Sequence, residues 1–310
     1  MATTLPDDGT RADDEVVAPR IETPLRRFIS DFCESRIAVV GLAVFAVILA
    51  AALLAPAISP QNPYDLNQLD IMDGRQPPLT KSMDGLKFWL GSDDQGRDML
   101  SAIFYGLRTS LGVGAMSALG ALALGMAAGL AAAYFGGRIE NLIMRIVDIQ
   151  LSFPAILVAL ILLAVLGQGT WKIIVALICV QWAYYARTVR GTALVERRKE
   201  YMEAARCLAL GHNRIVFRHL LPNCLPPLIV VVTVQVAHAI ALEATLSFLG
   251  IGLPITEPSL GLLIANGFEY LLSGKYWISF FPGVALLITI VSINLVGDQL
   301  RDVLNPRLQK

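Results

Sequence analysis

Residues 186–223 read ARTVRGTALVERRKEYMEAARCLALGHNRIVFRHLLPN, a basic, polar stretch set between two long apolar segments. Charge at this density is expelled from hydrocarbon, so the stretch lies outside a bilayer while both neighbours lie within it. A helix is expected from Glu200 to Leu210. It would have Tyr201, Ala205 and Leu208 on a packing face, and Lys199, Glu203 and Arg206 on another face at charge-pairing spacing. Gly211 is expected to close it in a left-handed cap. Asn213 would then cap a second short helix carrying Ile215, Phe217 and Leu220, which Pro222 stops. Two short helices and a turn, wet on one side, amount to a docking element.

Composition agrees with a membrane setting. The chain has 310 residues, of which 55% are hydrophobic and 16% charged, too apolar for a soluble domain of this size. A formal net charge of zero argues against nucleic acid as a partner. The four cysteines, Cys33, Cys179, Cys207 and Cys224, form no CxxC pair, and their placement implies neither a disulfide framework nor a metal site. No GxxxxGK[ST] pattern occurs, so the chain does not hydrolyse ATP by itself, and no catalytic triad spacing is present.

In chain order, residues 1–30 form a polar cytoplasmic tail, disordered over most of its length, that ends near Arg26 and Arg27. A first span follows within 31–58, its apolar run reaching from Ile37 to Leu54. The triplet Ala55-Pro56-Ala57 resembles a signal-peptidase site, but the long run and long polar tail favour a retained span. Residues 59–105, broken by Pro60, Pro63, Pro77 and Pro78, read as a periplasmic loop. Five further spans of about 20 residues fit within 106–300. They are expected at 110–135, 146–166, 171–185, 225–249 and 278–296. Gly125 and Gly129 give the second span a small-xxx-small seam. Arg138 and Arg145, the basic 187–223 loop, and Arg301, Arg307 and Lys310 in the 301–310 tail mark one side as cytoplasmic. Both termini should be there.

Glu203-Ala204-Ala205, a glycine-bearing turn at Gly211 and then His219, Leu221 and Pro222 resemble the EAA loop of bacterial ATP-binding-cassette import permeases. Ala209 stands where that family usually has glycine, which implies a shifted or stiffer bend. Leu90 to Asp98, LGSDDQGRD, resembles the LGTDxxGRD segment of the dipeptide, oligopeptide and nickel permeases, of the second-permease "C" type. Helix capping and solvation account for Asp93 and Asp94 as well as substrate contact does. Glu243 to Gly252 resembles the family's EAxLSFLGLG segment, and Asn294 to Arg307 its C-terminal signature. The likeness covers nearly everything after Arg26.

The resemblance implies an all-α membrane protein with the six transmembrane helices of the type I importer permease fold. It further implies a heterodimer with a homologous permease, two ATPase subunits docked on the EAA loops, and a periplasmic binding protein that delivers substrate. The setting would be the bacterial inner membrane, with membrane lipid around the spans. No cofactor is expected on this chain, since ATP and Mg would sit on the partner subunits. Among residues within the spans, Ser117, Ser152, Gln181, Gln235, His238, Glu243 and Asn294 are candidates for the substrate path. His238 and Glu243 lie about 140° apart on one helix and cannot easily share a ligand. For Glu243 a hydrogen bond fixing the helix end is the simpler account, with gating the alternative. The scarcity of metal-binding side chains in the spans favours di- or oligopeptides over nickel. An ion-coupled secondary transporter would be expected to show broken helices and midplane carboxylates, which are not evident.

Overall fold

The structure is a computed structural model, and it describes residues 23–82, 85–254 and 256–304. Most of the expected 1–30 tail and of the 301–310 tail lies outside those residues. Helix α1 (Pro24–Glu34) is separate from α2 (Arg36–Leu53). The break falls at Ser35, whose backbone is extended and whose hydroxyl caps α2 by accepting from the Ala38 amide at 3.3 Å. Residues 24–30, expected as tail, are therefore helical. Phe28 and Phe32 hold α1 against Val296, Leu300 and Val303.

A helical turn, α3 (Ala55–Ile58), leads into a polar segment with a two-stranded antiparallel hairpin, β1 (Thr80–Lys81) and β2 (Lys87–Phe88). The LGSDDQGRD stretch then folds in on itself. Asp93 accepts from Arg97 Nε at 2.5 Å and from the Arg97 and Gln95 amides at 2.9 Å, with both charged side chains about 1% exposed. Asp98, rather than Asp93 or Asp94, caps the next helix, accepting from the Ser101 amide at 2.8 Å. Burial pushes the Asp94 and Asp98 carboxyls above the ordinary range, and Asp93 adds to this for Asp94. The cap starts α4 (Met99–Phe135) six residues before the expected end of the loop at 105.

Expected spans lie in longer helices than the hydropathy suggested, among them α4, α7 (Thr170–Glu196) and α12 (Trp277–Leu304). Charged residues end a membrane span without ending its helix, so α7 continues eleven residues past Tyr185, through Arg187 and Arg190. The expected third span is two helices, α5 (Gly137–Ser152) and α6 (Ala155–Leu166), bent by 95° at Phe153-Pro154. Proline disfavours helical backbone at the residue before it, which accounts for the break.

Packing fixes the directions. A Cβ on Gly125 would meet the Trp182 carbonyl at 2.4 Å and one on Gly129 the Ala186 carbonyl at 2.6 Å, while Gly120 faces Ile178. The numbers rise together, so α4 and α7 run the same way, touching where only glycine fits. The bent α5–α6 pair must therefore return across the bundle between them, which makes six crossings. After α8 (Glu200–Cys207) and α9 (His212–Arg214), a π-helical turn over Ile215–Leu220 leads into α10 (Leu221–Phe248). Ser110 opposite Glu243 and Gly114 opposite Ile240 set α10 antiparallel to α4. A short helix, α11 (Leu260–Phe268), precedes α12.

Candidate coupling loop and translocation path

The candidate docking element is smaller than the 187–223 stretch implied. Much of its charge is consumed in fastening α7 to its neighbours. Arg187 pairs with Asp148 at 2.6 Å, Arg190 Nε donates to Glu140 at 2.8 Å, and Arg197 donates to the Ala133 carbonyl at 2.7 Å. Only α8 and the turn after it stand clear. Met202 and Ala205 bury one face of α8 on a core that joins α4, α7 and α10 through Leu130, Tyr185, Val189, Ile215 and Leu220. Leu208, expected on that face, is 74% exposed. Lys199 pairs with Glu196 at 2.7 Å rather than with Glu203, and the Tyr201 hydroxyl donates to the same carboxylate at 2.8 Å. Burial and that carboxylate push the Tyr201 phenol up to about 12, so it remains the donor. Glu203, Ala204, Arg206 and Cys207 face outward, and Glu203 has no ion pair or hydrogen-bond partner among the described residues.

The turn closes at Ala209, not Gly211. Ala209 takes φ +51°, and its amide donates to the Arg206 carbonyl while that of Leu210 reaches back to Ala205. These are the two bonds of a Schellman cap with alanine in the left-handed seat. Gly211 has φ −61° and sits at the start of α9, and Asn213 makes no cap. Nor does Pro222 stop a helix: His212–Phe248 is one continuous run. The π-helical turn before Pro222 shifts the hydrogen-bond register, and proline is tolerated in the first turn of the α-helix that follows. His219 is half-buried and its carbonyl accepts from Asn223 Nδ2 at 2.7 Å, and Leu221 is half-buried too.

Beside this loop opens a cavity of about 1470 Å³, walled by α7 and α10, with α1 and the end of α12 at its mouth. Its polar lining includes Tyr184, Arg187, Thr188, Thr192, Asn223 and Gln235. Of the seven expected path residues, only Gln235 lines it. Ser117 and Gln181 are fully buried, and Gln181 Nε2 donates to the Gln235 carbonyl at 3.2 Å. Ser152 is exposed and donates to the Asp148 carbonyl at 2.7 Å, and Asn294 is half-buried in α12. His238 is exposed on α10, on the face that Val234 continues towards the cavity. Glu243 is fully buried, accepting from Ser110 Oγ at 2.9 Å and from Ser247 Oγ at 2.7 Å. Ser110 also accepts from the Leu260 amide at 3.3 Å, so this knot ties α4, α10 and α11 together. The missed residues Tyr184, Thr188 and Thr192 recur every fourth position, a polar stripe hidden by ending the span at Tyr185.

The sequence profile described as "Binding-protein-dependent transport system inner membrane component" matches residues 121–310, and "N-terminal TM domain of oligopeptide transport permease C" matches residues 23–78. The chain belongs to this permease family. Among curated members, a putative peptide transport system permease of Brucella suis is 42% identical over 270 residues, covering 87% of this chain and 88% of its own. The di/tripeptide transport permease DppC of Pseudomonas aeruginosa is 34% identical, with 96% of each chain aligned. The oligopeptide transport permease OppC of Bacillus subtilis is 35% identical, over 90% of this chain and 88% of its own. Among solved structures, the MetNI methionine ABC transporter in inward-facing conformations superposes at TM-score 0.53 and 24% identity. It spans 66% of this permease and 97% of the solved chain, and shows that the fold is shared. The second-permease family and the type I importer fold implied by the sequence are thus this chain's own.

Proposed function

We propose that this permease is the membrane path for di- or oligopeptides in an ATP-driven importer, and that the outward face of α8 receives a separate ATPase subunit. The observation that carries the reading is the arrangement of α8. Glu203 is unpaired and exposed, while Met202 and Ala205 are locked onto the core from which α4, α7 and α10 extend. A push on α8 therefore reaches the helices that wall the 1470 Å³ cavity. A homologous permease would complete the path from the other side, two ATPase subunits would bind ATP and Mg, and a binding protein would deliver substrate. The chain itself contributes no catalysis. Both termini would be cytoplasmic, with the hairpin segment on the far side of the inner membrane.

Peptides rather than nickel are favoured by the relatives' names. Hydroxyl and amide groups of Tyr184, Thr188, Thr192, Asn223 and Gln235 offer donors and acceptors to a peptide backbone leaving water. Deleting the gene should confer resistance to a toxic peptide carried by this system while nickel-dependent urease activity stays unchanged. Unchanged peptide sensitivity with a nickel deficit would sink the peptide assignment.

A further inference from the structure

A second groove, of about 270 Å³, lies between the last turns of α4 and the start of the 212–248 helix, apart from the cavity above. Its floor is Ala123, Ala127 and Ala131, one per turn of α4 and too short to fill the gap, and its opposite wall is Val216, Phe217 and Leu221. Polar atoms gather at one end. There the Tyr134 hydroxyl and His212 Nδ1 share a hydrogen bond, and the two rings meet edge to face at 5.6 Å.

Three observations decide what fills it. Both walls belong to helices that contain a span long and apolar enough to cross a membrane, and exposed Leu119 and Leu124 flank the α4 floor, so the α4 side of the groove faces hydrocarbon where the 212–221 wall enters the membrane. An apolar void forfeits dispersion contacts on its lining, and a neighbouring chain of methylenes restores them. Arg214 and Arg218 directly follow the lining residues Asn213 and Phe217, and Arg138 comes three residues after Phe135; all three are exposed with no ion pair among the described residues. Cations flanking a membrane helix attract anionic headgroups.

We propose that this groove holds an acyl chain of an anionic phospholipid whose phosphate meets Arg214 and Arg218. The π-helical turn that forms one wall also follows the docking helix α8, so the bound lipid braces the joint between α8 and α10 and raises the coupled ATPase rate. The bracing rests on the transport reading above, whereas lipid binding does not.

The test uses the permease purified with its partner subunits from nanodiscs of phosphatidylcholine and phosphatidylglycerol, with retained lipid counted by native mass spectrometry. Wild type should retain one phosphatidylglycerol that Ala127→Phe, which fills the groove with a ring, does not retain. Ala123→Phe, at the deeper end, repeats the test should the first variant fail to assemble. The double variant Arg214→Gln and Arg218→Gln should bind about thirtyfold more weakly, as expected for losing two interfacial cations. Equal retention by wild type and the filled variants overturns the proposal, as does preference for phosphatidylcholine. A photo-crosslinker at position 127 that captures a protein subunit instead of lipid also overturns it. Binding-protein-stimulated ATPase should rise several-fold with phosphatidylglycerol in wild type and not in Ala127→Phe. An equal rise in both sinks the bracing even if lipid binds, and neither result depends on which solute is carried.

Discussion

Replacing Ala209 by glycine should tighten the turn that ends α8. Ala209 occupies the left-handed seat of the Schellman cap at φ +51°, where a Cβ costs about 1–2 kcal/mol against the following carbonyl. Glycine removes that strain but has more unfolded freedom to lose, which takes back about 0.4–1 kcal/mol. The net gain is about 0.5–1 kcal/mol, concentrated in the amides of Leu208, Ala209 and Leu210 that close the turn. Hydrogen–deuterium exchange on the reconstituted transporter, followed in a peptide covering residues 201–214, should therefore slow about two- to fivefold in Ala209→Gly. Ala209→Val, which adds a branched side chain at the same φ, should speed exchange. If Ala209→Gly exchanges at the wild-type rate or faster, the cap does not sit at Ala209 and the account of this turn fails.

Glu203→Lys removes no ion pair or hydrogen bond among the described residues, so its thermal midpoint should match wild type while copurification of the ATPase subunit falls; normal substrate uptake would count against docking at α8. Arg97→Ala strands the fully buried Asp93 carboxylate and should cost about 3–5 kcal/mol of stability, and a chemical-denaturation shift worth less than 1 kcal/mol would refute the buried pairing. Gly125→Val drives a Cβ to 2.4 Å from the Trp182 carbonyl and should abolish accumulation of folded protein, whereas Gly112→Val, with open space at its Cβ, should be tolerated. A reporter active only in the periplasm should be active when fused after Asp73 and silent after Arg198, and the reverse pattern would invert the topology.

The spans were legible because hydrocarbon leaves a strong compositional mark: α2 begins and ends within one residue of the apolar run at Ile37–Leu54. What hydropathy cannot register is a helix continuing after its charge begins, and α7 past Tyr185 is the costliest instance, since it hid Thr188 and Thr192. The loop was misread for a related reason. Glycine at 211 is the better left-handed residue by propensity, but the cap falls where burial of Met202 and Ala205 fixes the helix phase, and that lands on Ala209. Pro222 looked like a terminator because sequence alone does not reveal the π-helical turn that absorbs it. Glu243 was recognised as an intramembrane carboxylate, yet its partners Ser110 and Ser247 are ordinary serines until the fold brings α4 against α10.

The unbroken run from His212 to Phe248 also has a mechanical consequence. Its 37 residues make a rod about 55 Å long, so each degree by which it tilts as a rigid body displaces one end against the other by about 1 Å. Near the loop end, the π-helical turn and Pro226-Pro227 form a compliant collar where backbone hydrogen bonds are shifted or missing, and beyond it the helix is free of proline up to Phe248. On the proposed docking at α8, the collar would take up part of an imposed tilt and the proline-free arm would carry the remainder to the Glu243 knot.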